Sequence, residues 1–488
     1  MTYNLFNFKV PMEDSPLYLH AIMQKQTILQ QLRVTAFANE GKTIGHHEGK
    51  VVFVKGAVPG EVVNVLITKN KKDWMEADVL KVLEASDDRQ MSFCMHYGKC
   101  GGCQWQHMTY AAQLRYKEGA VIDTLERMGK VTINKKESIV GATIDRYYRN
   151  KLEFTFSNRE WLAPEDFFGP TGKPPQQPAL GFHLPGAFDR VFDVKTCYLQ
   201  SDLSDRIRNT VKKFTIENGY EYFNLRHQEG LLRNLMIRIT TTGEVMVVVV
   251  FARKEEEKIM ALLSFLQQEF PEITSLQYVI NQKKNDTIYD LKVITFAGAD
   301  AIYERIDNLT FRISAKSFFQ TNTRQAARLY ECVKEFAGLE GNELVYDLYT
   351  GTGSIALYLA RSCRKVVGIE QEAQAIEDAK VNANINSISN VTFHVADIAK
   401  ILDHSFHAEN GVPQVVITDP PRAGMHEAVI KELLLMAPER IVYVSCNVTT
   451  QARDLNLLNE KYSVERIRPF DLFPQTKHVE NVAELKKR

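Results

Sequence analysis

After Thr27 the chain alternates apolar and polar residues in short runs between Gly and Pro breaks. The runs ILQQLRVTAFA, KVVFVKGAVPGEVVNVLITKN and WMEADVLKVLEA keep this period of two, which predicts a small antiparallel β-barrel over 24–86. Residues 1–23 sustain no period and read as an irregular lead-in. In MTYAAQLRYKEGAVIDTLERM, apolar positions recur at steps of three and four, predicting helix over 105–135. From 147 to 295 strand patterns dominate (YYRNKLEFTFS, LGFHL, LMIRITT, EVMVVVVFA, LQYVINQ), with helix-like stretches at 201–218 and 254–269. A β-rich α+β central domain over 87–315 follows, with the Pro-rich span 163–178 as a surface loop inside it.

Beyond about Phe311 the texture becomes strand, helix, strand. ELVYDLY, KVVGIEQ, NVTFHVAD, QVVITDPPR and RIVYVSC read as strands, and GSIALYLARSC and AQAIEDAKVNANINS as helices between them. That alternation predicts an α/β domain over 316–488, with an open, mostly parallel Rossmann-like sheet covered on both faces.

Composition narrows the classes. The 488 residues carry 60 Lys+Arg and 60 Asp+Glu, so a nucleic-acid partner would have to be met by a local patch. The barrel supplies one in Lys50, Lys55, Lys69, Lys71 and Lys72, and DRYYRNKLEFTF interleaves Arg146, Arg149 and Lys151 with aromatics able to stack unpaired bases. Solvated charge and half-buried strand aromatics are the plainer readings of both. With no secretion signal and no run long enough to span a bilayer, a cytoplasmic protein without a membrane partner is expected. The seven cysteines are unevenly placed, which favours metal or catalysis over disulfides. Cys94, Cys100 and Cys103 are spaced C-x5-C-x2-C among glycines, and Cys197 is the natural fourth thiolate. Four thiolates suit a structural zinc or an iron–sulfur cluster, and the missing second zinc knuckle favours the cluster.

The α/β segment carries its chemistry at the strand ends, where parallel sheets bind ligands. Asp347-Leu-Tyr-Thr-Gly351-Thr-Gly353-Ser354 is a glycine turn opening a helix. Glu370 closes the next strand, placed for ribose hydroxyls, and Asp397 closes the third, placed for an adenine amino group. A dinucleotide or a methyl donor would fit, though the absent third glycine disfavours a pyrophosphate. Asp419-Pro-Pro-Arg422 ends the fourth strand, where two prolines stop the ladder and hold the acid at the crevice. Cys446 ends the fifth, facing the same crevice, where a thiolate can act as a nucleophile.

Together DLYTGTGS, TDPPRAGMH, YVSCNVTTQARDL and the tail FDLFPQTKHVE resemble the RNA 5-methyluridine methyltransferases, as do SFFQTN and FCMHYGKCGGCQWQHM. The barrel resembles a TRAM domain. The resemblance implies a methyltransferase domain over 316–488, Cys446 as nucleophile and Glu480 as the base that removes the C5 proton. It implies that Gln320, Tyr349, Ser354, Glu370, Asp397 and Asp419 surround S-adenosylmethionine, and that Cys94, Cys100, Cys103 and Cys197 hold a 4Fe–4S cluster. Two departures stand out: the 163–178 insertion, and Ser354 where an amide side chain is common. Barrel and cluster together resemble the 23S ribosomal RNA branch, with transfer RNA as the alternative substrate and a monomer as the expected state. A non-catalytic RNA-binding protein and a redox protein are the competing classes.

Overall fold

The computed structural model describes residues 27–38, 41–162, 177–184 and 187–488. The lead-in 1–23 and residues 163–176 of the Pro-rich span lie outside them. By contacts the chain forms two units, one of 1–120 with 474–477 and one of 121–473 with 478–488.

The first unit holds the barrel: β1 (Ile28–Phe37), β2 (Thr43–His47), β3 (Lys50–Lys55), β4 (Val62–Asn70) and β5 (Trp74–Glu84), closed in the order β1-β2-β3-β5-β4. The barrel is not wholly antiparallel as expected, because β3 and β5 run parallel. After β3 the chain skips a place to lay β4 against β1, and β5 returns through the gap. Alternate residues such as Val34, Val52, Val63, Val65 and Ala77 point inward and form its core. Helix α1 (Tyr110–Asp123) follows, running into a π-helical turn at Thr124–Met128, so the helical expectation holds in the middle of its range.

The second unit contains two large sheets. One combines β7 (Lys151–Ser157), β8 (Ala179–Leu184), β9 (Ala187–Asp193), β10 (Leu232–Ile239), β11 (Val245–Phe251), β12 (Ile273–Ile280) and β13 (Val293–Gly298), in the order β13-β12-β11-β10-β7-β8-β9. Strand β11, VMVVVVF, is buried at every position because both of its faces are covered. Val247 and Val249 share a core with Leu262 and Leu266 of a helix at Glu256–Glu269, and Met246, Val248 and Val250 share another with a helix at Thr323–Ala337. The latter helix starts at the Asn of SFFQTN: the Asn322 side chain caps it by accepting from the Gln325 amide at 3.2 Å. A hairpin of β14 (Ile302–Ile306) and β15 (Leu309–Ile313) precedes it.

The other sheet contains β16 (Leu344–Leu348), β17 (Lys365–Glu370), β18 (Val391–Val395), β19 (Val415–Thr418) and β20 (Arg440–Ser445), the five strands expected from the sequence, all parallel. Val345 and Val442 pack on one face, Tyr346 and Tyr443 on the other, so the sheet is covered on both sides. Three further strands escaped the sequence reading: β21 (Tyr462–Phe470), β22 (Glu480–Lys487) and β6 (Ile133–Lys136). They extend the order to β18-β17-β16-β19-β20-β22-β21-β6, with β22 antiparallel to both neighbours. The signal was present in the alternation of YSVERIRPF, but the helical periodicity upstream and the charge of KK and ERIR masked it.

Candidate active site

The parallel strands end together. Leu348 pairs with Ile369 and Thr418, and Thr418 with Tyr443, which places Tyr349, Glu370, Asp419 and Cys446 along one edge. Because β22 runs the opposite way, its first residue comes to that edge rather than its last. Ser445 pairs with Asn481, so the next positions outward in register are Cys446 and Glu480. Glu480 is not a surface carboxylate of the chain's tail: it is only 5 % exposed.

The Asp419–Met425 loop is tied down by the helix that follows Cys446 (Val448–Leu458). Asn447 Nδ2 and Thr450 Oγ1 donate to the Arg422 carbonyl at 2.9 and 3.2 Å, and Arg453 donates to the carbonyls of Ala423 and Met425. Buried Asp454 accepts from the Met425 amide at 2.8 Å and the Tyr443 hydroxyl at 2.7 Å. The polar letters of NVTTQARDL are therefore largely a clamp on the DPPR turn. Asp454→Ala would strand those donors and is expected to cost about 3 kcal/mol of stability, measured by chemical denaturation; a change below ~1 kcal/mol would deny the clamp.

Electrostatics around the thiol work against charge. Burial pushes the Cys446 thiol up to about 11, helped by the Glu480 and Asp419 carboxylates, while Arg422 pulls the other way. Burial, then Asp419, raises Glu480 to about 8, again opposed by Arg422. Asp419 rises to about 7 through burial and the Asp347 carboxylate. Asp347, also near 7 through burial, receives the Thr350 hydroxyl at 2.5 Å. Close acids that resist ionising together are how a site keeps a proton available for transfer. Arg422, Asp347 and Asp454 belong to motifs visible in the sequence, but only the packed structure gives them these roles.

The glycine turn fits a nucleoside cofactor. Gly351 (φ +55°) and Gly353 (φ +78°) adopt a conformation that L side chains rarely take, and an added Cβ on Gly351 would meet nothing within 4 Å. Glu370 accepts amides from Gly351, Gln371 and Glu372 at 3.2, 2.8 and 3.1 Å. That fixes the carboxylate with acceptor capacity to spare for hydroxyls. Ser354 accepts from the buried Tyr330 hydroxyl at 3.0 Å. Half-buried Gln320 gives its carbonyl to Asn150 Nδ2 at 2.8 Å. Tyr349 stands half-buried at a positive φ of 63°. Asp397 caps the short helix Ile398–Ile401 and pairs with Lys400 at 2.9 Å, so any base contact shares its carboxylate with these local ones.

The cysteine framework is less complete. Cys94, Cys100 and Cys103 are half-buried on a turn-rich stretch in which Gly98 and Gly101 take positive φ, and their thiols are suitably soft donors. The Cys197 amide donates to the Asp205 carboxylate at 2.9 and 3.1 Å. Among the described residues no group of three or more His, Cys, Asp or Glu side chains is placed to hold a metal ion.

Whole-chain likeness agrees with this geometry. The crystal structure of Pyrococcus abyssi tRNA (uracil-54, C5)-methyltransferase in complex with S-adenosyl-L-homocysteine is similar at a TM-score of 0.71 and 27 % identity, over 94 % of this chain and 100 % of that one. The fold is that of an S-adenosylmethionine-dependent methyltransferase. The profile of the tRNA (uracil-5-)-methyltransferase family matches residues 221–488, and that of the TRAM domain residues 29–80. A Bacteroides thetaiotaomicron protein described as an uncharacterized RNA methyltransferase is 50 % identical, over 92 % of this chain and all of its own. One from Chlorobaculum tepidum, similarly described, is 40 % identical over 96 % and 98 %. The chain belongs to the tRNA (uracil-5-)-methyltransferase family and is an RNA methyltransferase carrying a TRAM domain.

Proposed function

We propose that the protein methylates C5 of one uridine in structured RNA through a covalent bond from Cys446 to C6. The observation that supports this reading is the register of β20 against β22, in which Ser445 pairs with Asn481 and Cys446 and Glu480 are the next positions outward. C5 of uracil is a weak nucleophile. Addition of the Cys446 thiolate to C6 moves electron density onto C5, which can then take a methyl group. S-adenosylmethionine, held by the Gly351 turn, Glu370, Gln320, Tyr349, Ser354, Asp397 and Asp419, would supply that methyl as an electrophile. Glu480 removes the C5 hydrogen, and the thiolate leaves C6 as the ring double bond reforms. The base must leave its stack to reach the thiol.

The favoured substrate is 23S ribosomal RNA, on the strength of the barrel and the cysteine framework. Transfer RNA is the second reading, favoured by the Pyrococcus abyssi relative, a tRNA (uracil-54, C5)-methyltransferase. Incubation with labelled S-adenosylmethionine and unmodified ribosomal and transfer RNA, followed by nuclease mapping, distinguishes them. Label at one 23S uridine supports the first, label only in transfer RNA replaces it with the second, and no label on either overturns both substrate readings. The barrel over 24–86 is taken as an RNA grip, the 87–315 segment as the central domain and 316–488 as the catalytic one, working as a cytoplasmic monomer.

Cys94, Cys100, Cys103 and Cys197 are proposed to hold a 4Fe–4S cluster, supported by their spacing and donor type. Anaerobically purified protein should contain about four irons and four sulfides per chain. A colourless protein with stoichiometric zinc would reverse the assignment.

A further inference from the structure

Strands β7 and β10 pair with Arg238 directly opposite Lys151. Like charges facing across a ladder repel, and a sheet normally avoids them. Here one of the two is also buried. Arg238 is 3 % exposed, its Nη2 donates to the Ser317 carbonyl at 2.6 Å, and its Nε has no hydrogen-bond partner. Among the described residues Arg238 has no ion-pair partner, and the Glu153 carboxylate acts on it only at longer range. Glu153, two residues along β7, pairs with Lys151 at 3.6 Å, and its side chain is 43 % exposed. Burial lowers the Arg238 pKa to about 10, which leaves it cationic at neutral pH. Burial and the Arg238 charge lower that of Lys151, with Glu153 opposing. Two cations against one solvent-facing carboxylate leave a focused positive field whose outlet is the Lys151 ammonium.

The position of this outlet matters. Arg238 grips Ser317, and Asn150, the neighbour of Lys151, grips Gln320. The pair is therefore built into the base of the SFFQTN segment that borders the cofactor edge. An anion arriving there would relieve the Lys151–Arg238 repulsion and complete a site that is otherwise electrostatically unfinished.

We propose that Lys151, backed from beneath by Arg238, binds a backbone phosphate of the substrate RNA where the strand passes the Gln320 loop. This rests on the RNA-methylation reading and adds to it a contact that the base chemistry does not require. Lys151 touches the phosphate; Arg238 is a positioning residue that acts through it.

The test is the salt dependence of RNA binding by the full chain, measured on a single-stranded oligonucleotide and on the methylated RNA. Each neutralised phosphate on a single strand contributes about 0.7 to the slope of log K against log salt. Lys151→Gln should lower that slope by about 0.7 and weaken binding uniformly across sequences, with KM for S-adenosylmethionine unchanged. Lys151→Arg should restore both. Arg238→Met, a second variant that keeps the volume and removes the charge, should weaken RNA binding in wild-type protein and have little further effect in Lys151→Gln. An unchanged slope in folded Lys151→Gln overturns the proposal. So does a variant that loses only its inhibition by inorganic phosphate while keeping the RNA slope, since the site would then serve a free anion. Failure of wild-type protein to form 5-methyluridine would instead defeat the functional reading, which the binding slopes do not measure.

Discussion

Cys446→Ala is expected to abolish methylation, by at least ~10⁴-fold in kcat, and to abolish any covalent complex with RNA. Without the thiol there is no addition at C6, and C5 keeps too little electron density to accept a methyl group. The fold should survive, because Cys446 lies beyond the last residue of β20 and is only half-buried. Binding of RNA and of S-adenosylmethionine should therefore change little, separating chemistry from assembly. RNA carrying 5-fluorouridine sharpens the measurement, since fluorine at C5 cannot be removed as the proton is. Wild-type protein should form a complex with it that resists denaturing gels, and Cys446→Ala should form none. Turnover by Cys446→Ala within tenfold of wild type would end the covalent mechanism.

The second large effect concerns Glu480. Glu480→Gln should still add to the base and transfer the methyl group, then stall, so that a covalent adduct accumulates with ordinary RNA. The same substitution should make the thiol more acidic. Glu480 is the largest charge holding the Cys446 pKa up, after burial itself, and glutamine removes it. Alkylation of the Cys446 peptide, followed by mass spectrometry against pH, should show its midpoint move down. A midpoint that stays put or moves up would mean that the carboxylate does not face the thiol. In wild type both groups must lose a proton, Glu480 from about 8 and Cys446 from about 11 in the unliganded site. The sign is thus a rate that climbs with pH between 7 and 9, by up to about a hundredfold per unit below pH 8, where both groups still hold their protons, and by about tenfold per unit above it. A profile that falls over that range would contradict the assignment of roles.

The strand ending in Cys446 and the one ending in Asp419 were readable because parallel strands buried on both faces have continuous apolar runs and stop sharply. The glycine turn and Glu370 were readable for the same reason, with local backbone demand added at Gly351 and Gly353. Glu480 could be assigned only by resemblance, since its own surroundings in sequence are those of an exposed tail. The like-charge pair of Lys151 and Arg238 was wholly invisible. The two residues are far apart in the chain, and each alone reads as a solvated cation on a strand. The parallel β3–β5 pairing was likewise hidden, because alternation reports which face a residue takes and not which strand lies beside it.

The sequence by itself therefore determined the five parallel strands, the sheet class they form and the residues at their ends, because those follow from short-range period and turn chemistry. Which carboxylate meets the thiol, and which cations meet each other, was decided by tertiary structure. Antiparallel β22 alone brings Glu480 to the edge where Cys446 ends, and the burial that follows raises both pKa values. Register between strands distant in the chain is an energy of the whole packed core, and no local stretch contains it.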